Sequence, residues 1–216
     1  ALIKGYIAKR VAKEFKDGDF VNLGIGLPTM VPAYLPEDVH VILQAEVGMA
    51  GQGGKPEVAD PNVVDAGGQP SSIAPGGAFI DSATSFGLIR GGHVNATVLG
   101  ALQVDEKGNL ANWIIPGKMV PGMGGAMDLV AGAQNIIVVM THASKNGESK
   151  LLPQCTLPLT GVGCIRRVLT DLALLEIVDG AFVLREVAPG VSPDEVIRKT
   201  AGRLIVADDV REMRFS

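Results

Sequence analysis

The sequence predicts an α/β protein: one three-layer domain with a mostly parallel central sheet. Short apolar runs such as 20–23, 41–45 and 136–140 have the length and composition of buried strands. Segments with helical spacing lie between several of them, and this alternation is typical of βαβ units with helices on both sheet faces. A chain of 216 residues can bury a sizeable core, and we predict one domain over residues 1–216.

The N-terminal quarter is predicted to run helix, strand, helix, strand. Four apolar residues recur at helical spacing, and they are Ile3, Ile7, Val11 and Phe15. Gly18 can end this first helix. A strand at 20–23, a short helix at 29–34 and a strand at 41–45 follow, which completes the first βαβ unit.

A segment rich in glycine and proline spans 48–77, and within it only 62–66 has an ordered pattern. A loop of that length in a compact domain is usually functional or packed against a partner. Beyond it, Asp81 or Ser82 can cap a helix that runs to Ile89.

The rest of the chain is predicted to be mainly strand. Strands are expected at 94–99, 136–140, 172–178 and 182–187, with a hairpin turn at 104–110. Asp179-Gly180 joins the last two strands, as is common in hairpins. Helices are expected near 126, around 163–169 and after Ser192-Pro193-Asp194-Glu195, a capping box whose helix should end near Gly202.

Composition excludes several classes of protein. Apolar residues make up 47% and charged residues 19%, which is unlike a disordered chain. The apolar runs are shorter than the ~20 residues that span a bilayer, and the N-terminal segment lacks the apolar core of a signal peptide. The net charge of −4 argues against nucleic-acid binding. We therefore expect a soluble, cytoplasmic protein that contacts neither membrane nor nucleic acid.

Metal and nucleotide chemistry are not indicated. Cys155 and Cys164 fit no zinc spacing and are expected to be buried, reduced thiols. The three histidines lie far apart in the sequence, and His93 is expected to be a hydrogen-bonded structural residue. Thr29 stands where a dinucleotide fingerprint needs its third glycine, and Gly54-Lys55-Pro56 lacks the Ser or Thr of a phosphate loop. Metals and cofactors are both predicted to be absent.

Glu46 carries the clearest chemical signal. It directly follows the predicted strand 41–45 and precedes a run rich in glycine. In open α/β sheets, ligands bind at the carboxyl ends of the strands, and glycines let a ligand approach the backbone closely. A solvated loop carboxylate is the alternative, and the neighbouring motifs favour the functional interpretation.

Four motifs occur in order along the chain: Asn22–Pro28, Leu43–Gly54, Ile89–His93 and Gly122–Asp128. Together they resemble the B (beta) subunit of the class I 3-oxoacid CoA-transferases, the family of the acetate/acetoacetate and succinyl/3-oxoacid enzymes. The resemblance runs from about Ile3 to about Val206 and includes 110–113, 116–118 and 157–160. It implies the three-layer fold of glutaconate CoA-transferase.

The resemblance also assigns roles to residues. Glu46 takes the place of the covalent nucleophile, with Ala45 and Val47 where the family has Ser and Asn. Gly125 takes the place of the backbone donor to the oxyanion. Asn22 is implied to contact the CoA thioester, although a strand-terminal turn residue is an equal alternative. The remaining residues assigned to CoA or substrate binding are Gly24, Gly26, Val47, Gly48 and Gly124.

The implied reaction moves CoA between a short-chain (3-oxo)acyl-CoA and a carboxylic acid through a glutamyl-CoA thioester on Glu46. CoA is then a substrate, and no cofactor is needed. The family divides its site between two halves, so the expected partner is an A (alpha) subunit in a heterotetramer or larger assembly. A non-catalytic acyl-CoA-binding subunit and a thioester hydrolase are the competing hypotheses. An apolar residue at Val47 would favour acetyl or butyryl over succinyl groups.

Overall fold

The computed structural model describes residues 2–118 and 122–215, with side chains from Lys4 onward, so the side chain of Ile3 lies outside the described part. The helices are α1 (Leu2–Ala12), a 3-10 helix (Leu27–Tyr34), α2 (Ser82–Arg90), α3 (Ala126–Gly132) and α4 (Pro193–Lys199). The strands of the first half are β1 (Phe20–Leu23), β2 (Ile42–Ala45), β3 (Met49–Gln52), β4 (Ile73–Phe79), β5 (Ala96–Gly100), β6 (Gln103–Asp105) and β7 (Leu110–Ala111). Those of the second half are β8 (Asn135–Met140), β9 (Leu151–Leu152), β10 (Arg167–Thr170), β11 (Ala173–Val178), β12 (Ala181–Val187) and β13 (Leu204–Glu212).

Within the described residues, ten strands form one sheet in the order β13-β12-β11-β10-β8-β5-β1-β2-β3-β4. The five central strands, from β10 to β2, are parallel to one another. Antiparallel pairs extend the sheet on both sides, and β13 returns parallel to β12. A small sheet, β7-β6-β9, covers part of one face. The predicted α/β class with a mostly parallel centre is confirmed.

Alternation along the central strands creates two cores. On β8, Ile137 and Val139 pack towards α1 and the 3-10 helix, whereas Val138 and Met140 pack towards α2, α3 and the small sheet. A strand that is apolar on both faces needs cover on both. The three predicted layers follow from this pattern.

The glycine-rich segment contains two strands that the sequence did not indicate. β3 and β4 pair as antiparallel strands at one edge of the sheet. A Cβ atom at Gly51, whose φ is +89°, would lie 2.8 Å from the Cα atom of Gly77. The two strands therefore approach at a place where only glycine fits, and glycine hides the alternation of side chains that predicts a strand. Within the predicted ordered stretch 62–66, Val64 forms an antiparallel bridge with Pro70.

In the second half, one predicted element is wrong and one strand was missed. The helix expected at 163–169 is wrong, because Arg167–Thr170 is β10, which pairs with β8 and β11. The apolar residues Ile165, Val168 and Leu169 fit helical spacing, but pairing between two strands overrides this local preference. The strand Leu204–Glu212 was not predicted, because its charged residues suit an exposed edge strand and mask the pattern.

A buried ion network fastens α1 to the sheet. Arg10 Nε lies 2.7 Å from Glu186 Oε2 of β12, and Arg211 of β13 lies 2.9 Å from the other oxygen. Glu14 pairs with Arg10 at 2.7 Å and also with Arg167 of β10. Burial alone would raise the pKa of Glu186, but the hydrogen bonds and charges of Arg10 and Arg211 outweigh it, so that pKa is lowered. The carboxylate is thus held ionised inside the protein.

His142 is fully buried, with its ring nitrogens 2.9 Å from the hydroxyls of Thr170 and Thr200. Burial is the main cause that lowers the pKa of His142 to about 4. The two cysteines are only partly buried, and burial raises the pKa of Cys155 to about 12. Across the described residues, no cluster of His, Cys, Asp and Glu could hold a metal ion. In the same part of the chain, no helix is both long and apolar enough to cross a membrane.

Candidate active site

Glu46 lies at the carboxyl edge of the central sheet, directly after β2. The neighbouring strands β1 and β5 end at the same edge because they are parallel to β2. Asn22 on β1 is in register with Gln44 on β2 and with Thr97 on β5. A row of three polar side chains therefore crosses the sheet just behind Glu46, on the face covered by α2 and α3.

Asn22 holds the Glu46 carboxylate directly. Its Nδ2 atom donates to Glu46 Oε2 at 3.1 Å and to Gln44 Oε1 at 2.8 Å. Asn22 is only 1% exposed, whereas Glu46 is half-buried. The amide is therefore built into the protein as a donor to this carboxylate, which explains a polar side chain at a buried position of β1 better than a turn does.

Gly125 also lies close to Glu46. It precedes the first residue of α3, with an ordinary φ of −84°. A Cβ atom at this position would stand 3.1 Å from Glu46 Cγ and 3.3 Å from a ring carbon of Phe86. Both distances are shorter than ordinary carbon contacts. The absence of a side chain at Gly125 therefore lets the backbone come close to the predicted nucleophile.

Two cavities meet at Glu46, and this carboxylate lines both. We call the first the glycine-loop cavity, with a volume of about 520 Å³; it is lined by Asn22, Gly24, Leu99, Asn112, Gly122–Ala126 and further residues. The second, the hairpin cavity, measures about 480 Å³ and is lined by Leu23, Ile25, Gly26, Leu43, Gln52–Gly54, Asp65–Gly67 and neighbours. Two separate groups can therefore be held on either side of one carboxylate.

Most of the predicted binding residues lie at these cavities, but two do not. Gly24 and Gly124 line the glycine-loop cavity, and Gly26 lines the hairpin cavity. Val47 is 53% exposed, and neither cavity as described includes it or Gly48. Position 48 requires glycine for a structural reason, because a Cβ atom there would lie 2.3 Å from the carbonyl oxygen of Ile80. The binding roles predicted for Val47 and Gly48 stay predictions.

Contacts between the motifs explain why they occur together. Arg90, in Ile89–His93, pairs with Asp128, in Gly122–Asp128, at 2.6 Å and so ties α2 to α3. Asn112, in the stretch 110–113, accepts a hydrogen bond from Thr160 and donates to the carbonyl oxygen of Gly100 at 3.1 Å. Gly100 and Asn112 both line the glycine-loop cavity. His93, the last residue of the motif Ile89–His93, lines neither described cavity. Lys118, at the end of the stretch 116–118, is exposed.

Sequence reasoning missed Gln44, which also lines the hairpin cavity, and Ser85, which lies behind the site. Gln44 Nε2 donates to Ser85 Oγ at 2.8 Å, and both side chains are buried. A signal for Gln44 exists, because residues two apart on a strand face the same side and Gln44 precedes Glu46 by two. No comparable signal marks Ser85, a small residue in the middle of α2.

Comparison with known proteins shows the family to which this fold and carboxylate belong. The family described as coenzyme A transferase matches residues 4–199. The beta subunit of the acetate CoA-transferase of Haemophilus influenzae is 55% identical over 99% of this chain and 96% of its own length. The beta subunit of the acetate CoA-transferase of Escherichia coli K12 is 54% identical over 98% of this chain and 97% of its own length. The chain belongs to the coenzyme A transferase family and is similar to its beta subunits.

Solved structures share the fold. An acyl-CoA transferase (YdiF) from Escherichia coli O157:H7 superposes with a TM-score of 0.78 at 20% identity, over 98% of this chain and 43% of that longer chain. Glutaconate coenzyme A-transferase from Acidaminococcus fermentans superposes with a TM-score of 0.67 at 20% identity, over 99% of this chain and 89% of its own chain. The predicted likeness to the glutaconate enzyme is confirmed. The decarboxylase AibA/AibB has the same fold, with a TM-score of 0.72 at 19% identity, over 98% of this chain and 88% of the solved chain.

Proposed function

We propose that this chain is the catalytic B (beta) subunit of a CoA-transferase and that Glu46 carries CoA as a covalent thioester. The observation that supports this most is the setting of Glu46. One carboxylate, held by the buried Asn22 amide and backed by Gly125, lies where two cavities meet. Carboxylates are established covalent catalysts, and this geometry gives one access to two groups.

The reaction balances without a proton or a cofactor. A Glu46 oxygen attacks the thioester carbonyl carbon, the C–S bond breaks, and CoA thiolate leaves a mixed anhydride. The thiolate then attacks the glutamyl carbonyl, a C–O bond of the anhydride breaks, and the first acid leaves as its carboxylate. The second acid reverses both steps, which restores Glu46 and yields the new acyl-CoA.

Two cavities suit this sequence of steps, because the acyl group and the CoA thiol must both stay near Glu46 while the anhydride exists. Each attack also places negative charge on a carbonyl oxygen. A backbone N–H at Gly125 would face such an oxygen, and one donor of this kind is typically worth ~2.7–4 kcal/mol. Both intermediates react with water, so the site has to be enclosed during turnover.

An A-type (alpha) subunit is the proposed partner. Glu46 is half-buried and Val47 is exposed, so the mouth of the site is open in this chain by itself. The relatives at 54–55% identity are named as beta subunits. We propose that the alpha subunit covers this mouth and excludes water, in a heterotetramer or larger assembly.

Charge at the hairpin cavity favours monocarboxylic acids. Its lining includes the carboxylates of Glu46 and Asp65, and no Lys, Arg or His stands among its described lining residues. A second carboxylate, as in succinate, would meet repulsion there without a counter-charge. Acetate, butyrate and acetoacetate carry no such group. We therefore place the acyl chain of a short monocarboxylic acid in this cavity.

The test uses the chain purified with its alpha partner and incubated with acetoacetyl-CoA. Peptide mass spectrometry should find Glu46 heavier by CoA minus one water, and Glu46→Gln should abolish both this adduct and transfer to acetate. Glu57→Gln, an exposed loop carboxylate, serves as the control. Transfer that persists in Glu46→Gln would refute the proposal. Release of free acid beyond one equivalent per Glu46, without an acceptor, would indicate a hydrolase, and CoA binding without an adduct would indicate a non-catalytic binding protein.

A further inference from the structure

A continuous polar chain runs behind Glu46 into the protein. Ser85 Oγ accepts from Gln44 Nε2 at 2.8 Å, Gln44 Oε1 accepts from Asn22 Nδ2 at 2.8 Å, and Asn22 Nδ2 reaches Glu46 at 3.1 Å. The exposed fractions of Ser85, Gln44 and Asn22 are 0%, 2% and 1%. The chain thus starts on α2, crosses β2 and β1, and ends on the carboxylate.

Hydrogen-bond chemistry fixes the direction of this chain. The Ser85 oxygen accepts from Gln44, and its own hydroxyl points to the Ala45 carbonyl oxygen, 3.5 Å away. If the Gln44 amide turned over, its NH₂ group would face the NH₂ group of Asn22. Two buried donors would then oppose each other without an acceptor, which is unfavourable. The Glu46 carboxylate only accepts, so it fixes the Asn22 amide as a donor, and Asn22 in turn fixes Gln44 Oε1 as an acceptor. Ser85 Oγ then satisfies the Gln44 N–H that points away from Asn22 and holds the Gln44 side chain in place.

We propose that Ser85, acting through Gln44, is a positioning residue that keeps the Asn22 N–H directed at Glu46. The inference rests on the proposed function, since it concerns the same carboxylate. Asn22 fixes one Glu46 oxygen so that the other faces the cavities, and it remains in place to donate when that oxygen belongs to a glutamyl carbonyl. Ser85 itself is too deeply buried to touch substrate.

Thr97 provides a matched control within the same row. It neighbours Asn22 on the side opposite Gln44, and its side chain is fully buried. Its hydroxyl finds no hydrogen-bond partner among the described residues. Thr97→Val therefore removes a buried hydroxyl next to Asn22 while it leaves the chain from Ser85 to Glu46 intact.

The experiment compares Ser85→Ala, Ser85→Thr and Thr97→Val in the complete complex, well below the melting temperature of each variant. With acetoacetyl-CoA and acetate, Ser85→Ala should lower kcat about 10-fold with KM within about twofold, because misplaced groups slow the chemical step. The rate at which Glu46 acquires CoA should fall equally. Ser85→Thr, which restores the hydroxyl, should recover most of kcat, and Thr97→Val should match the parent.

If Ser85→Ala does not fold, Gln44→Met tests the same link at similar volume and should show the same loss. A parent-like kcat in a folded Ser85→Ala, or equal losses in Ser85→Ala and Thr97→Val, would overturn the positioning role. A parent complex that transfers CoA without labelling Glu46 would overturn the proposed function itself. The two failures are therefore distinguishable.

Discussion

Gly125→Ala tests how closely the backbone must approach Glu46. The added Cβ would lie 3.1 Å from Glu46 Cγ and 3.3–3.4 Å from two ring carbons of Phe86, so these groups must move by a few tenths of an ångström. The backbone itself tolerates alanine, since φ is −84°. A displacement of about 1 Å can cost ~100-fold in rate. A few tenths should therefore lower kcat about 3- to 10-fold, and the bulkier Gly125→Val should lower it further.

The assay is steady-state transfer from acetoacetyl-CoA to acetate by the complete complex, with kcat and KM reported separately. KM should stay within about twofold, because the lost interaction is made in the transition state. Gly87→Ala on the exposed side of α2 is the control, since a Cβ there meets nothing within 4 Å. It should keep parent activity and gain about 0.5–1 kcal/mol in stability. An unchanged kcat in Gly125→Ala, or a change in KM alone, would refute the reasoning.

Three further predictions concern stability and specificity. His142 should make the protein less stable in acid, because its ring takes up a proton below pH 6.5 in the unfolded chain and only below about 4 in the folded protein. The free energy of unfolding, measured with urea, should therefore fall by up to about 3 kcal/mol as the pH is lowered from 6.5 to 4. An unfolding free energy that does not change over this range would contradict the burial of the neutral ring. Glu186→Gln should cost about 3 kcal/mol, because it removes the buried charge that Arg10 and Arg211 share and leaves Arg10 paired with Glu14 alone; a loss below 0.5 kcal/mol by the same method would contradict the network's role. Val47→Asn should leave the ratio of kcat/KM for acetate and succinate unchanged, since Val47 lines neither described cavity. Asp65→Asn should raise kcat/KM for succinate relative to acetate, because it removes a negative charge from the lining of the hairpin cavity.

The sequence was most informative where residue type and spacing act locally. The N-cap at Ser192 forms as predicted, with Ser192 Oγ accepting from the Glu195 N–H, whereas the Glu195 carboxylate pairs with Lys199 at 2.7 Å. Asp81 caps α2 in the same way, and the hairpin at Asp179-Gly180 joins β11 to β12. The position of Glu46 at the end of β2 was also predictable, because a short apolar run followed by a polar residue marks the end of a buried strand.

Other features depend on partners that are distant in sequence. β10 is a strand because β8 and β11 flank it, although its apolar residues also fit a helix. Ser85 reaches Gln44 only because α2 packs over β2, 41 residues away along the chain. The fold by itself does not determine the chemistry either, since a decarboxylase shares it. The chemistry depends instead on the side chains at the carboxyl edge of the sheet.

The ion network of α1 has a consequence for biosynthesis. Arg10 binds Glu186, which follows it by 176 residues. At ~5–20 residues per second, a ribosome needs roughly 10–35 s to produce that stretch. Throughout this time the apolar side of α1, with Ile7 and Val11, cannot be sealed against the complete sheet. The newly made chain therefore cannot complete this ion network, or the part of the core that the late strands supply beneath α1, until most of it has been synthesised.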